Sequence, residues 1–260
     1  MSDKHNTRLI IDYGEGTHPG GREENEDYIS AFFDDEGEMY CFVIADGVGG
    51  YKGGGTASQL AVESILNSLS SIDKEKPGAW LYDALQEADH LIKERRKADA
   101  SVRSMKTTCV VIVVISGIAY WASVGDSRIY IIRDNAILHR SKDHSVVQIL
   151  LDMGEIKPQD VRSHPDRNRV LRVLGMDEDM KPTINDDGLL LQRGDCILLC
   201  TDGFWEYLDD SVIVNFINTH SNIRAQSLIE AFFAKIITTA RKYKANERHD
   251  NLSAQLIMIR

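Results

Sequence analysis

The chain has 260 residues, of which 43% are hydrophobic and 27% charged, values typical of a globular protein with a substantial buried core. Its formal net charge of −10 at pH 7 argues against nucleic acid as the main ligand. The longest apolar run, Cys109–Ile115, is far too short to cross a bilayer. Because the N-terminus also lacks an apolar stretch ahead of a cleavage site, we expect a cytoplasmic protein that does not act at a membrane.

The four cysteines all lie within apolar runs, at Cys41, Cys109, Cys196 and Cys200. None of them forms a pair with the Cys-x-x-Cys spacing of a redox or zinc motif. Cysteine in such a setting behaves as a small buried hydrophobe. The sequence therefore predicts four buried thiols and neither a disulfide framework nor a thiolate zinc site.

The first half of the chain predicts short strands followed by two helices. After a polar start, runs of apolar residues predict strands over 8–12, 28–33 and 39–45, with a polar, glycine-rich loop over 14–27. Apolar residues then recur at helical spacing from Ala57 to Ile72 and from Leu81 to Ile92. The second helix ends in the basic residues Lys93, Arg95, Arg96 and Lys97, which suit a helix C-terminus.

The second half returns to the strand period. Strands are predicted over 107–115, 118–124, 128–133 and 136–138, joined by tight turns into an antiparallel meander. The irregular stretch 143–182 is too long for a plain connection and indicates a flap or an insertion. Strands over 188–191 and 196–200, a helix around 228–240 and a strand over 252–259 follow.

These elements predict an α+β fold in which two packed antiparallel β-sheets are flanked by helices, an α-β-β-α sandwich. No internal repeat, low-complexity tract or linker interrupts the chain. We therefore expect residues 1–260 to form a single domain.

Three acidic residues stand at the ends of apolar runs. Asp46 follows the run that starts at Cys41 and precedes Gly47, Asp202 follows a similar run, and Asp250 precedes the last strand. Carboxylate and carbonyl oxygens are the ligands that Mg²⁺ and Mn²⁺ prefer. This pattern predicts one hard-metal site assembled from distant parts of the chain, beside which Arg22 could hold a phosphate through two parallel hydrogen bonds.

Seven motifs carry a resemblance to a known family. They are Arg22-Glu-Glu-Asn-Glu26-Asp27, Asp46-Gly-Val-Gly-Gly50, Thr107-Thr108, Val124-Gly-Asp126-Ser-Arg128, Asp143-His-Ser145, Thr201-Asp202-Gly203 and Asp250-Asn251. A single Asp-Gly is also common turn chemistry, but the seven occur in order with matching strand context. Together they closely resemble the metal-dependent Ser/Thr protein phosphatases of the PPM (type 2C) family, in the compact bacterial form, from about Arg8 to Ile259.

The resemblance implies a centre of two Mn²⁺ or Mg²⁺ ions. In it, Asp46 would bridge both ions and serve as a catalytic residue, and the Gly47 carbonyl would bind one of them. Asp202 and Asp250 would bind the other ion. Such a pair of ions activates water and clamps a phosphoryl group.

The same resemblance assigns further roles around that centre. Glu26 and Asp27 would act mainly through metal-bound waters, and Arg22 would be the catalytic residue that binds the substrate phosphate. Asp126 resembles the ligand of a third, weaker metal shared with Asp202. Glu206 takes the place of a carboxylate near that third ion. Segment 143–182 corresponds to the flap that shapes substrate access.

One position departs from the eukaryotic pattern, in which a histidine after the Asp-Gly is thought to protonate the leaving group. Here that position is Val48, which has no proton to give, although a leaving alkoxide requires one. We expect a metal-bound water to supply it. The third metal, His144 and His164 are the alternatives.

The resemblance implies hydrolysis of phosphoserine and phosphothreonine in proteins by a water that bridges the two ions. Its partners would be phosphorylated proteins and a bacterial Ser/Thr kinase whose action it opposes, and it would act as a monomer. Two alternatives stay open: a catalytically silent regulator that binds phosphoproteins, and a phosphatase dedicated to one regulatory protein. Silent relatives usually lose metal carboxylates, so the presence of Asp46, Asp202 and Asp250 favours an enzyme.

Overall fold

The computed structural model describes residues 9–48, 53–243 and 249–260. In this part of the chain it has the strands β1 Ile11–His18, β2 Asp27–Asp34, β3 Met39–Val48, β4 Lys106–Thr107, β5 Cys109–Ile115, β6 Ile118–Val124, β7 Arg128–Arg133, β8 Ala136–Arg140, β9 Thr183–Leu190, β10 Cys196–Cys200 and β11 Leu252–Ile259. The helices are α1 Gly54–Asn67, α2 Pro77–Ala98, α3 Val146–Asp152, α4 Asp202–Trp205, α5 Asp210–Thr219 and α6 Ala225–Tyr243. Short 3₁₀ turns cover Ser68–Ser71, Ala100–Val102 and Pro158–Ser163.

The strands form two sheets in which every neighbouring pair is antiparallel. One sheet has the order β1-β11-β10-β7-β8, and the other has the order β2-β3-β5-β6-β9 with β4 paired to β3. Helices α1 and α2 pack on the outer face of the second sheet, and α5 and α6 pack on the outer face of the first. This arrangement confirms the predicted α-β-β-α sandwich.

The central strands are buried on both faces, which explains their continuous apolar runs. In β3, Cys41 and Val43 face α1 and α2, whereas Phe42 and Ile44 lie between the two sheets. Strand β10 alternates in the same way: Leu198 faces α5 and α6, and its neighbours on either side face the opposite sheet. The alternation follows from the period of two in a strand. The next residue on the inner side of β3 after Ile44 is Asp46.

The predicted meander is wrong at its middle turn. Strands β5 and β6 form a hairpin in one sheet, whereas β7 and β8 form a hairpin in the other. The chain crosses between the sheets at Gly125, whose φ is +108°, a conformation that glycine adopts easily. A crossing and a tight turn need the same residue types, so the local sequence did not separate them.

Strand β1 is longer than predicted, and the predicted polar loop over 14–27 is wrong in its first part. Gly14 and Gly16 lie inside β1 because α6 packs closely over them. A Cβ at Gly14 would lie 2.4 Å from the backbone of Ala225. These glycines therefore serve helix–strand packing and not a turn.

Two further differences separate the observed elements from the predicted ones. Strand β9 begins at Thr183 instead of 188 because it is an edge strand with an exposed polar face, so it lacks the apolar run of a central strand. The sequence pattern did not predict α5, which buries only Ile213, Val214 and Ile217.

All four cysteines are buried and unpaired, as predicted. None of the helices within the described ranges is long and apolar enough to span a membrane.

Candidate active site

The site starts from two carboxylates on neighbouring strands. Asp27, the first residue of β2, is the register partner of Asp46 in β3. Residues in such positions have Cβ atoms about 5 Å apart, and like charges there destabilise a sheet. Two facing aspartates are therefore stable only if they share a proton or bind a cation.

Three more aspartates lie at the same rim of the sandwich. Asp126 follows β6 at the crossing, Asp202 follows β10 at the start of α4, and Asp250 precedes β11. The backbone segments that carry Asp202 and Asp250 are in close contact, since a Cβ on Gly203 would lie 2.0 Å from the carbonyl oxygen of Asn251. The structure thus brings together carboxylates that the sequence spreads over more than two hundred positions.

The charges of these groups repel one another in a buried setting. Burial raises the pKa of Asp27 to about 7, with a further contribution from the Asp250 carboxylate. Burial and then the carboxylate of Asp143 raise the pKa of Asp126 to about 7. The pKa of Asp46 and that of Asp202 lie well above the ordinary range, first through burial and then through the neighbouring aspartates. A cation among them would relieve the repulsion.

Two of these carboxylates have an oxygen without a hydrogen-bond partner among the described residues: Asp27 Oδ1 and Asp202 Oδ1 are both buried in this way. Buried polar atoms are normally paired, so these oxygens are free to bind an ion. No three His, Cys, Asp or Glu side chains within 9–48, 53–243 and 249–260 are arranged to hold an ion by themselves. Mg²⁺ needs no such cage, because it keeps several waters and takes one or two carboxylates. The donor set therefore fits hydrated hard cations.

Glycines bring the backbone after Asp46 close to the first turn of α1. A Cβ on Gly47 would lie 2.3 Å from the carbonyl carbon of Gly54, and one on Gly54 would lie 2.7 Å from Glu26 Oε1. The Gly47 amide donates to the Glu26 carbonyl over 3.1 Å. The predicted ligands Gly47 and Glu26 are thus neighbours of Asp46. Gly49 and Gly50 of the same motif lie outside the described residues.

Arg22 reaches the rim from the loop between β1 and β2. Its Nη2 donates to Asp250 Oδ2 over 2.9 Å, and its side chain is 50% exposed. In this arrangement the predicted phosphate ligand is paired with a predicted metal ligand. Exposed ion pairs of this kind are weak, so a phosphate dianion can take over the guanidinium.

Asn251 is a site residue to which the sequence argument gave no role. Its Oδ1 accepts from the Glu26 amide over 2.8 Å, and its Nδ2 donates to the carbonyls of Pro19 and Glu24 over 3.0 and 2.9 Å. The side chain therefore fixes the loop that carries Arg22 against the strand that follows Asp250. Its place directly after Asp250 was the available signal.

The chain matches the family model described as protein phosphatase 2C over residues 17–256. It belongs to the protein phosphatase 2C family. The serine/threonine phosphatase stp of Listeria welshimeri is 27% identical over 240 residues, which cover 91% of this chain and 90% of that protein.

Solved structures share the fold. Serine/threonine phosphatase Stp1 from Staphylococcus aureus superposes with a TM-score of 0.85 and 24% identity over the full length of both chains. The catalytic domain of the serine/threonine phosphatase PstP, solved in complex with two manganese ions, gives a TM-score of 0.80 and 22% identity over 96% of this chain and 99% of that one. At these identities the likeness concerns the fold.

The segment 143–182, the predicted flap of this protein phosphatase 2C member, packs against the short helix that starts at Asp202. Arg167 of the flap donates to Glu206 Oε1 over 2.9 Å, and Arg162 donates to the carbonyls of Trp205 and Leu208 over 3.1 and 2.8 Å. Glu206 is therefore engaged with the flap, beside the predicted third ion position.

Val48 lies at the end of β3, paired with Lys106 of β4. The alternative proton donor His144 is held by structure: its Nδ1 accepts from the Gly125 amide over 3.1 Å, and its Nε2 lies 2.8 Å from Thr183 Oγ1. Burial lowers the pKa of His144 to about 4, so it is neutral at pH 7. This geometry disfavours His144 as the acid.

A buried network supports Asp126. Trp205 Nε1 donates to the Asp126 carbonyl over 2.9 Å, and the guanidinium of Arg128 lies 3.5 Å from the centre of the same indole. Two hydrogen bonds of 2.8 and 2.7 Å join Arg128 to Asp143 at the start of the flap. Arg128 thus joins the crossing to the start of the segment 143–182.

Proposed function

We propose that this protein phosphatase 2C member hydrolyses phosphoserine and phosphothreonine in proteins with the help of two Mn²⁺ or Mg²⁺ ions. The observation that carries the proposal is the meeting of five aspartates at one rim, around the facing pair Asp27 and Asp46. The family match over residues 17–256 supports the activity. The manganese ions of the PstP structure support the choice of metal.

The proposed ligands are those that surround Asp46. Asp46 would bridge the two ions, the Gly47 carbonyl would complete one site, and Asp202 with Asp250 would complete the other. Glu26 and Asp27 would hold waters of the ions, and Asp126 would take a third ion. When bound, two such ions lower the pKa of water and neutralise charge on a phosphoryl group.

Arg22 would bind the phosphate. Its guanidinium presents parallel N–H groups that match two phosphate oxygens. For that it leaves Asp250 Oδ2, its partner at 2.9 Å. The leaving alkoxide would take its proton from water, because Val48 has none and His144 is neutral and held by Gly125 and Thr183.

The finer features stay predictions. We expect the substrates to be phosphoproteins of a bacterial Ser/Thr kinase, and we expect the chain to act in the cytoplasm as a monomer. Nucleic acid and membranes are not expected partners, and residues 1–260 are expected to form one domain. The retained carboxylates favour turnover over a silent, phosphoprotein-binding role.

The test is phosphate release from a phosphothreonine peptide with Mn²⁺, with a chelator, and by the variant Asp202→Asn. We expect turnover that requires the metal and falls more than about 100-fold in the variant, since loss of a partner that only supports a metal ligand already lowers activity about 10- to 100-fold. Asp187→Asn, an exposed position in β9, is the matched control and should keep its activity.

Calorimetric titration with Mn²⁺ separates the possible failures. Metal binding and peptide binding without turnover in the wild-type protein would contradict the phosphatase function and support the silent regulator. Full activity of Asp202→Asn would contradict the proposed ligand set.

A further inference from the structure

A run of basic residues lies beside the site without a role in the chemistry above. Residues 93–106 hold six basic and two acidic side chains, within a chain whose net charge is −10. We name the six residues the basic strip: Lys93, Arg95, Arg96, Lys97, Arg103 and Lys106. The favourable effect of cations at a helix C-terminus explains the first four. It does not explain Arg103 and Lys106, which lie beyond the end of α2 at Ala98.

Part of the strip lines an open cavity. Its volume is about 390 Å³, and its lining residues are Lys93, Arg96, Lys97, Arg103 and Asp177. Arg96 holds the walls together, because its Nε donates to the Arg103 carbonyl over 2.9 Å and its Nη1 donates to the Gly175 carbonyl. These bonds join α2 to Arg103 and to Gly175, between which the cavity lies.

Not every cation of the strip is available to a ligand. Lys93 forms an ion pair of 2.7 Å with the buried Asp89. The guanidinium of Arg96 is bonded to the carbonyls of Arg103 and Gly175. Among the described residues Lys97 pairs only with Glu94, on the surface, where both side chains are more than half exposed, and such pairs exchange partners easily. Arg103 and Lys106 have no ion-pair partner in the parts of the chain that the structure describes.

The strip starts at the edge of the active site. Lys106 is the register partner of Val48, two residues after Asp46. Its neighbour Thr107 donates from Oγ1 to the Asp46 carbonyl over 2.8 Å. From there the chain leads back through Arg103 to the end of α2. An extended peptide advances about 3.3 Å per residue, so residues a few positions from a phosphorylated residue at Asp46 would reach the strip.

We propose that the basic strip binds acidic residues that flank the phosphorylated residue, so that the protein prefers phosphoproteins with an acidic segment beside the phosphosite. This proposal rests on the proposed phosphatase function and adds a substrate class to it. Arg103, Lys106 and Lys97 supply the available charge, and acidic side chains are their complement. The net charge of −10 disfavours the binding of such a segment to the chain as a whole, so a local group of cations is needed to bind it.

The test compares two phosphothreonine peptides that differ only in flanking Asp and Glu against Asn and Gln. For the wild-type protein with Mn²⁺ we expect a KM about three- to tenfold lower for the acidic peptide, with a smaller difference at high salt. Arg103→Glu should abolish the difference, and Arg103→Lys should keep it. Turnover of the neutral peptide should stay unchanged in both variants.

The matched control is Arg193→Glu. Arg193 is exposed in the turn before β10, at the opposite end of that strand from Asp202. It receives the same charge change far from the strip, so it should keep the peptide preference. Thermal unfolding checks that Arg103→Glu is folded, which is expected because only the Arg103 backbone is bonded by Arg96.

Equal KM values for the two peptides in the wild-type protein would overturn the proposal, and so would equal effects of Arg103→Glu and Arg193→Glu. Absence of turnover with either peptide would instead contradict the phosphatase function. In that case fluorescence anisotropy with the labelled acidic phosphopeptide still tests whether the basic strip binds acidic residues. Equal affinities of the wild-type protein and Arg103→Glu would overturn it.

Discussion

Single side chains fix the geometry of the rim through hydrogen bonds to backbone groups and to a carboxylate. Thr201 donates from Oγ1 to Asp27 Oδ2 over 3.0 Å, and Thr108 Oγ1 accepts from the Asp46 amide over 3.1 Å. Asn251 has three bonds of this kind and is 5% exposed. Groups that are held in this way keep their positions when charge changes nearby, which is a requirement for a metal or phosphate site.

At this scale we predict the effect of Asn251→Ala. The change leaves the Glu26 amide and the carbonyls of Pro19 and Glu24 without a side-chain partner. We expect a loss of about 1–3 kcal/mol in the free energy of unfolding and a fall of about 10- to 100-fold in kcat/KM. Denaturant unfolding and peptide turnover measure the two effects.

The exposed Asn222→Ala is the control for this prediction. Asn251→Asp keeps the acceptor Oδ1 but sets a buried carboxylate oxygen against the carbonyls of Pro19 and Glu24, beside the aspartates of the rim. Its stability should therefore be no higher than that of Asn251→Ala. Wild-type turnover in Asn251→Ala would show that the loop carrying Arg22 is positioned by other contacts.

Among the elements, the crossing between β6 and β7 decides how the two sheets meet at the site. It places Asp126 at the rim and sets Gly125 directly over Thr108, where an added Cβ would lie 2.5 Å from the threonine Cβ. Thr108 in turn bonds the Asp46 amide. A shift at the crossing is therefore transmitted to the central aspartate.

We predict that Gly125→Ala disturbs both the fold and the site. The alanine would combine a strained positive φ with the overlap at Thr108, and we expect a loss of at least about 2–3 kcal/mol of stability together with weaker Mn²⁺ binding. Gly154→Ala is the matched control, since Gly154 also has a positive φ, of +75°, but has no atom within 4 Å of the added Cβ. Its loss should be limited to about 1–2 kcal/mol, the cost of the left-handed conformation alone.

Equal unfolding midpoints for the two glycine variants would contradict this explanation. In that case the overlap at Thr108 would be absorbed by small backbone shifts, and the crossing would be less rigid than the structure indicates. Chemical denaturation followed by calorimetry with Mn²⁺ separates the loss of stability from the loss of the site.

For the whole molecule, the net charge of −10 and the buried aspartates both make the folded state less stable as the pH rises. Asp27 and Asp126 have a pKa of about 7 in the folded chain against an ordinary value of 3.8. The folded state therefore binds more protons than the unfolded state between these values. The resulting stability is fully present below the unfolded pKa and is lost as the pH rises through the folded pKa.

We predict accordingly that, in the presence of a chelator, the Tm falls as the pH rises from 5 to 8. Mn²⁺ should raise the Tm, and by more at pH 8 than at pH 6, because ionised carboxylates bind it and a ligand of the folded state stabilises it. Asp126→Asn should make the fall in the chelated protein shallower. A Tm that rises with pH in chelator would contradict the raised pKa values.

Much of the fold and of the site could be predicted from the sequence, because both depend on local patterns. Apolar runs such as the one that ends at Asp46 indicate strands buried on both faces, and the acidic residues at their ends indicate the rim. The basic residues at the end of α2 were likewise visible, although their relation to the site was not. These features follow from side-chain periodicity and from the chemistry of neighbouring residues.

Only the tertiary structure decided which sheet each strand joins and which side chains meet. The sequence pattern around Gly125 predicts a hairpin turn, but long-range pairing places β6 and β7 in different sheets. The pattern around Gly14 predicts a loop, but the residue lies in a strand against which α6 packs. The bonds of Asn251 to the Arg22 loop join residues more than two hundred positions apart. Such contacts depend on the pairing of distant strands, which local propensity does not specify. The central strands and the acidic residues that end them were determined by the sequence alone, because their apolar runs and carboxylates are local features.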